Sequence, residues 1–228
     1  MPEIDLATVI FAIIALFVVF KLRSVLGMRS DDERPTGGFS APLRRAPGSQ
    51  EAPSAPNAPA PALSPPPPAE RWKSVANPEA WRGLDAVAAA DPSFNASEFI
   101  AGAKMAYDMV VHAFASGDSQ TLRGLMGPEA FANFDSAIKA RAAAGHVMTT
   151  TVVSIDEAKI ATAQLAGAMA QIAVRFAAKL ASATRDSAGE LVEGSASDTA
   201  DHVDIWTFVR DVRSRDPNWL LTETHSER

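Results

Sequence analysis

The chain has 228 residues, 47% of them hydrophobic, and a formal net charge of −6. The acidic balance, with no long basic run, speaks against a nucleic-acid binder, which needs a cationic face to neutralise phosphates. Cysteine is absent, which removes disulfide frameworks, thiolate nucleophiles and cysteine-ligated zinc.

The N-terminal segment Leu6–Phe20, LATVIFAIIALFVVF, carries no charge and one polar side chain, Thr8. Its roughly 15 residues fall short of the ~20 that usually span a bilayer, but Ile4, Leu22 and a snorkelling Lys21 lengthen it. Leu6, Ile10, Ile14, Phe17, Phe20 and Lys21 are the anchor residues. Acids precede the apolar run and Lys21, Arg23 and Arg29 follow it, the reverse of a cleaved signal peptide. The positive-inside rule then places the N-terminus outside and the rest in the cytoplasm. We expect residues 1–29 to form a single transmembrane anchor. Residues 30–69 are rich in proline and alanine, as in APSAPNAPAPALSPPPPAE. Proline fixes φ and lacks a backbone donor, so this stretch is expected to be a disordered linker, semi-extended, that tethers whatever follows.

Residues 70–228 read as a domain with helices first and strands later. A helix is expected over 77–90, with Trp81, Leu84 and Val87 or Ala88 on one face. Asp91-Pro92 ends it. Asn95 and Glu98 have capping-box spacing and open a stronger helix. Its buried stripe is Phe99, Ala103, Tyr107, Val110 and Phe114. Gly117-Asp118 stops that helix and caps a short one with Leu122, Leu125 and Met126. Gly127-Pro128 starts the next, with Phe131, Phe134 and Ile138 inward and Gly145 at its end. Beyond Gly145 the apolar period falls from about 3.6 to 2. Strands are expected at VMTTTVVSI, KIATAQLAG, AQIAVRFAAKL, HVDIWTFVR and WLLTET, with DSAGELVEG as a turn-rich connection. Trp206 and Phe208 share one strand face, opposite Val203, Ile205, Thr207 and Val209. Helices followed by an antiparallel meander predict an α+β fold. With large apolar groups on both faces, the sheet is either covered twice or curled around helices, and either arrangement allows an apolar cavity.

The blocks WTFVRDVRSRDPNWLLTET and FIAGAKMAYDMVVHAFASGDSQTLRGLM resemble the Tim44-like domain family in content and order, as does AVRFAAKL with the Gly189 turn that follows it. The resemblance covers about 92–222. A short anchor with a Pro-rich spacer looks like the alphaproteobacterial members rather than the mitochondrial import-motor adaptor. Residues 30–69 have no resemblance to the adaptor region that binds chaperone and channel. The resemblance implies a nuclear transport factor two-like cone, helices lying in a curved antiparallel sheet. It also implies an adaptor at the bacterial inner membrane that docks proteins, anionic lipid or both, with a translocase or chaperone among the partners and a link to protein translocation. It implies no cofactor.

Tyr107, Trp206, Phe208, Arg210, Arg213 and Trp219 are the candidate ligand- or partner-binding residues. The aromatics either fill the core, wall a cone or anchor a partner. Arg210, Asp211, Arg213, Arg215 and Asp216 form a solvated turn with local ion pairs or a docking surface for an acidic partner or headgroup. Arg71, Trp72, Lys73, Trp81 and Arg82 suit either an interfacial segment or an ordinary packing helix. Cone folds also host small enzymes, so two acid–imidazole pairs are weighed. Asp108 and His112 lie four apart on a helix, and His202 and Asp204 two apart on a strand. Neither has a third member, and no phosphate loop, nucleophile elbow or zinc motif accompanies them, so no catalytic or metal-binding residue is assigned. A carrier or sensor of a small apolar ligand is the alternative function.

Overall fold

The computed structural model describes residues 71–227, all within the unit Pro66–Arg228. The expected anchor and linker lie outside the described residues. No helix among the described residues is long and apolar enough to cross a membrane.

The fold is α+β. A 3₁₀ turn at Pro78–Ala80 leads into α1 (Trp81–Ala90), followed by α2 (Ala96–Ser116), α3 (Ser119–Leu125) and α4 (Pro128–Ala143). Four strands then form one antiparallel sheet in sequence order: β1 (Val147–Ala166), β2 (Met169–Arg185), β3 (Leu191–Asp211) and β4 (Leu220–Glu227).

The helix boundaries follow local chemistry. Asn95 caps α2 by accepting from the N–H groups of Ser97 and Glu98 (2.9 and 3.2 Å). Its own amide donates to Glu98 Oε1, so the expected Asn95–Glu98 pairing forms. Gly117, at φ 78°, supplies the left-handed residue that ends α2, and the Asp118 N–H returns to the Ala113 carbonyl at 2.8 Å. Asp118 then caps α3, and Pro128 occupies the first turn of α4. The first expected helix is split: Pro78 holds a 3₁₀ turn before α1 begins at Trp81.

Arg141, on α4, caps the other end of α2. Its Nη2 donates to the Phe114 and Ala115 carbonyls, and its guanidinium lies 4.8 Å from the Phe114 ring centre. A cation at a helix C-terminus meets the negative end of the backbone dipoles. Burial pulls the Arg141 pKa below its ordinary value, but a guanidinium stays protonated. The spacing rules gave no hint of this contact, which joins residues 26 and 27 apart.

The sheet differs from expectation in its first half. VMTTTVVSI and KIATAQLAG are one continuous strand, β1, with irregularities at Val152/Ser154, Ile155/Glu157 and Ile160/Thr162. Nothing between Ile155 and Lys159 forces a turn. The chain absorbs the extra residues as bulges, and the acids point outward. Glu157 meets Lys159 at 3.0 Å and Arg175 at 3.6 Å, and Arg175 meets Glu227 at 2.9 Å. A second row runs from Asp156 through Lys179 to Asp201. These rows give the outer face a charged surface beside half-buried Val203, Ile205 and Val209. The expected turn over 186–194 is also shorter, because β3 begins pairing at Leu191. Gly194, at φ 74°, fits β3 against the Ser182 carbonyl, where a Cβ would stand 2.1 Å from the oxygen.

The inner face of β2 carries Ala170, Ile172, Val174, Phe176, Ala178 and Leu180, all buried, alternating with Gln171, Ala173 and Arg175 outside. α2 lies against this face. α1 packs on β1 through Leu84, with Val87 also fully buried; each contributes about 1.5–3 kcal/mol by leaving water. The segment before α1 joins the edge of β1: the Ile160 N–H donates to the Val75 carbonyl and the Asn77 N–H to the Ile160 carbonyl, both at 2.9 Å. Trp72 is buried with its Nε1 donating to Asp85 at 2.9 Å, and Trp81 is half-buried, while Arg71, Lys73 and Arg82 face solvent.

Gly83 marks the closest approach of helix to strand. A Cβ there would stand 1.8 Å from the Ala163 carbonyl oxygen. Glycine to alanine in a helix ordinarily gains about 1 kcal/mol. Here Gly83→Ala is expected to destabilise by about 1–3 kcal/mol, because α1 must lift off β1. Urea unfolding of the two proteins checks this; a more stable alanine variant contradicts the packing.

Candidate docking surface at the C-terminal hairpin

Two aromatic clusters sit between α2 and the sheet. In the first, Tyr107 lies between Phe176 and Trp206, with ring centres 4.8 and 4.6 Å away, and Phe176 meets Trp206 edge-on at 5.7 Å. All three are buried. The Tyr107 hydroxyl donates to Asp204 Oδ2 at 2.8 Å, and the Ser226 hydroxyl donates to Asp204 Oδ1 at 2.6 Å. Burial first, and then the neighbouring Asp204 charge, push the Tyr107 phenol well above its ordinary pKa. It therefore stays a donor at any physiological pH, and both Asp204 oxygens are occupied.

In the second cluster, Phe99 of α2 meets Phe208 edge-on at 5.9 Å and Trp219 at 4.8 Å, and Phe94 lies 6.0 Å from Trp219. Arg210 closes it. Its guanidinium stands 5.2 Å from the Trp219 ring centre, its Nη2 donates to Asp91 Oδ2, and its Nη1 donates to the Pro217 carbonyl at 3.4 Å. Asp91 Oδ1 accepts from the Ser93 N–H and hydroxyl. The Ser93 hydroxyl, ahead of Arg210, holds the Asp91 carboxyl below its ordinary pKa. The contact links residues 119 apart and ties the turn between α1 and α2 to the last strands.

The candidate residues therefore separate. Tyr107, Trp206 and Phe208 are core. Trp219 is half-buried over Phe99, and Arg210, read from sequence as part of a solvated turn, reaches inward to Asp91. Only Arg213 is displayed, its side chain 78% exposed and held loosely by Asp211 at 3.5 Å. Around it residues 213–218 are all exposed, Arg215 among them. The turn falls earlier than the Asp216-Pro217-Asn218 that the proline suggests: the Ser214 N–H donates to the Asp211 carbonyl at 3.0 Å, and at 216–218 the Asn218 N–H donates only to a side chain, Asp216 Oδ1, at 2.9 Å. The loop has a fixed base: the Val212 N–H donates to the Ala168 carbonyl in the β1–β2 turn at 2.9 Å. Met169 and Leu220 flank this end of the sheet, 45% and 37% exposed. The outcome is a firmly footed loop with two cations and an apolar rim. Met169 and Leu220 were missed in the sequence because each reads as an ordinary strand residue.

The two acid–imidazole pairs differ in setting. Asp108 and His112 are half-exposed and 3.4 Å apart on the outer side of α2. Asp204 spends both oxygens on Tyr107 and Ser226, none on His202. Among the described residues no group of three or more metal-ligating side chains gathers. An open depression of about 350 Å³ lies elsewhere, between Arg71–Val75 and Pro92–Ser97, lined by Arg71, Ser93, Asn95 and Ser97 as well as Trp72, Val75 and Phe94.

A model of the Tim44-like domain matches residues 80–226, from α1 through almost the whole of β4. The chain belongs to the Tim44-like domain family. No curated protein matches it. Among solved structures, the intermembrane space region of the chloroplast protein ARC6 is similar at 12% identity, covering 56% of this chain and 95% of that one, with a TM-score of 0.40. TsrD from Streptomyces laurentii is similar at 16% identity, covering 56% and 87%, with a TM-score of 0.27. The Tim44-like match takes in both aromatic clusters, the Asp91–Arg210 pair and the displayed loop.

Two measurements test the geometry. Tyr107→Phe keeps the ring stack but removes one of the two donors to Asp204, so a loss of about 1–3 kcal/mol is expected in chemical denaturation. A loss within error of zero shows that the hydroxyl contact is replaced by water. The folded pKa of Asp91 is depressed, so its contribution is complete above the unfolded value and vanishes as pH falls below about 4. The stability gap between the wild type and Asp91→Asn should therefore be largest near neutral pH and shrink on acidification to about pH 3. A gap constant with pH contradicts a carboxylate held charged by Ser93 and Arg210.

Proposed function

We propose that this Tim44-like protein is a non-catalytic adaptor tethered to the bacterial inner membrane, which docks protein partners through the loop 213–218. The observation that carries this reading is the display of Arg213 and Arg215, between exposed Met169 and Leu220, on a base fixed by Arg210, Asp91 and Trp219. Cations around an apolar rim suit a partner with acidic side chains around apolar ones. Membership of the Tim44-like family supports a role linked to protein translocation, with a translocase subunit or chaperone as the partner. The filled space between α2 and the sheet supports binding at the surface rather than catalysis inside. The bulges of β1, which bend a strand, support the nuclear transport factor two-like cone.

The tether rests on the uncharged run Leu6–Phe20 and the cations after it, which favour an outside N-terminus and a cytoplasmic domain. Through the Pro-rich linker the domain would be concentrated near membrane-bound targets. Anionic lipid is a further ligand of the same two arginines.

The alternative, a carrier of a small apolar ligand, draws no support from the depression between Arg71–Val75 and Pro92–Ser97, which is open to solvent and has a mostly polar lining that includes Arg71, Ser93, Asn95 and Ser97.

Photocrosslinking in cells from Arg213 and Asn218 of the full-length protein tests the adaptor. Trp206 is unsuitable as a position because it is 5% exposed. Recurrent crosslinks to one envelope complex are expected, lost when Arg215 is reversed to Glu. Crosslinks to lipid alone, or none, overturn the adaptor. A lipid retained in native mass spectrometry of the same preparation then supports the carrier.

A further inference from the structure

α2 buries one face against the sheet and leaves the other bare. The exposed positions are Ser97, Glu98, Ala101, Gly102, Met105, Asp108, Met109, His112 and Ser116. At the centre of this stripe the residues are apolar or small. Met105 is 65% exposed and Met109 44%, the former the joint-largest exposure among the large hydrophobics described. Ala101 and Gly102 lie one turn before Met105. A Cβ built on Gly102 would meet nothing within 4 Å, so the helix is open to close approach there. Two protruding methionines beside two small residues make a knob next to a hole.

We propose that this face of α2 pairs with the same face of a second copy, antiparallel, about a two-fold axis through Met105. An axis at that point makes residues equidistant from Met105 face each other. Met109 of each copy falls on Ala101 of the other, with Gly102 beside it, and the two Met105 side chains meet. Knob and hole therefore fit each other twice, as an isologous contact requires. Both helical ridges pass through Met105, one containing Ala101 and Met109 and the other Gly102 and Asp108. Packing one kind of ridge into grooves of the other gives a crossing near 20°, which keeps the helix ends together. The contact from Glu98 to His112 is then about 21 Å long, at 1.5 Å per residue.

Charge supports the same register. Glu98 of one copy faces His112 of the other, and Asp108 faces Gly102, so no carboxylate opposes a carboxylate. His112 turns its Nδ1 to the Asp108 carbonyl at 2.9 Å, which leaves Nε2 for a partner. Glu98 holds Asn95 through Oε1 alone, which leaves Oε2. The alternative face for self-association, the outer side of the sheet, is crossed by rows of ion pairs. A single helix pair buries less than a standard interface, so the dimer is weak and depends on concentration. Restriction to a membrane surface would raise that concentration.

The absence of cysteine makes the test direct. Full-length protein carrying Met105→Cys should form disulfide dimers on mild oxidation, at least about tenfold faster than Thr162→Cys on exposed β1, because the bond needs close and aligned Cα atoms. An equimolar mixture of Ala101→Cys and Met109→Cys should give the mixed dimer well beyond the twofold excess over either homodimer that random pairing yields. Met105→Glu, which sets two carboxylates on the axis, should leave the protein monomeric in sedimentation while its circular dichroism is unchanged. Equal rates at positions 105 and 162 overturn the proposal, as does an unmodified chain that stays monomeric at every concentration reached. Oxidation in cells that joins position 105 mainly to a different protein also overturns it, and assigns the face to that partner.

Discussion

The seating of α2 on the sheet is the constraint on which the rest of the domain depends, and one hydrogen-bonded stack sets it. Tyr107 enters between Phe176 and Trp206, and its hydroxyl must reach a carboxylate at the end of the path. Apolar burial alone fixes no register, because a helix can slide along a greasy surface at little cost. A buried acid that needs a donor does fix it, since a displacement of one turn would leave Asp204 unsatisfied. With Tyr107 in place, Phe99 lies two turns earlier over Phe208 and Trp219, and the end of α2 lies where Arg141 can donate to its carbonyls.

Much of this was legible in the sequence. The stripe Phe99, Ala103, Tyr107, Val110, Phe114 names the buried face of α2, and the alternation in 170–180 names the two faces of β2. Capping residues Asn95, Gly117, Asp118 and Pro128 mark boundaries because their chemistry acts within a turn. The long β1 was not legible. The polar stretch around Asp156 and Glu157, between two β-branched segments, looks like a loop, but no glycine or proline turns the chain there, and the two acids lie among the cations Lys159, Arg175 and Lys179.

The candidate surface was legible in place but not in detail. The displayed loop lies within the block WTFVRDVRSRDPNWLLTET that carries the family resemblance. Sequence could not sort Arg210 from Arg213, since both sit in the same charged string. Their roles diverge because strand alternation and the position of Asp91, far away in the chain, draw one inward and leave the other in water. The same reasoning explains the aromatics: three large rings near one terminus, Trp206, Phe208 and Trp219, signal a cluster, but which of them reaches solvent is decided by where α2 lies. Membership of the Tim44-like family supplies the frame, and the geometry redistributes the roles within it.

The Asp91–Arg210 contact also sets an order in time. Asp91 leaves the ribosome well before Arg210, separated by 119 residues. At about 5–20 residues per second, the turn between α1 and α2 waits roughly 6–24 s for its partner. During that interval Phe94 and Phe99 have no Trp219 or Phe208 to cover them, and Tyr107 has no Asp204. The helical half of the domain is thus synthesised as a set of uncovered apolar faces, and becomes a closed body only when the last hairpin arrives.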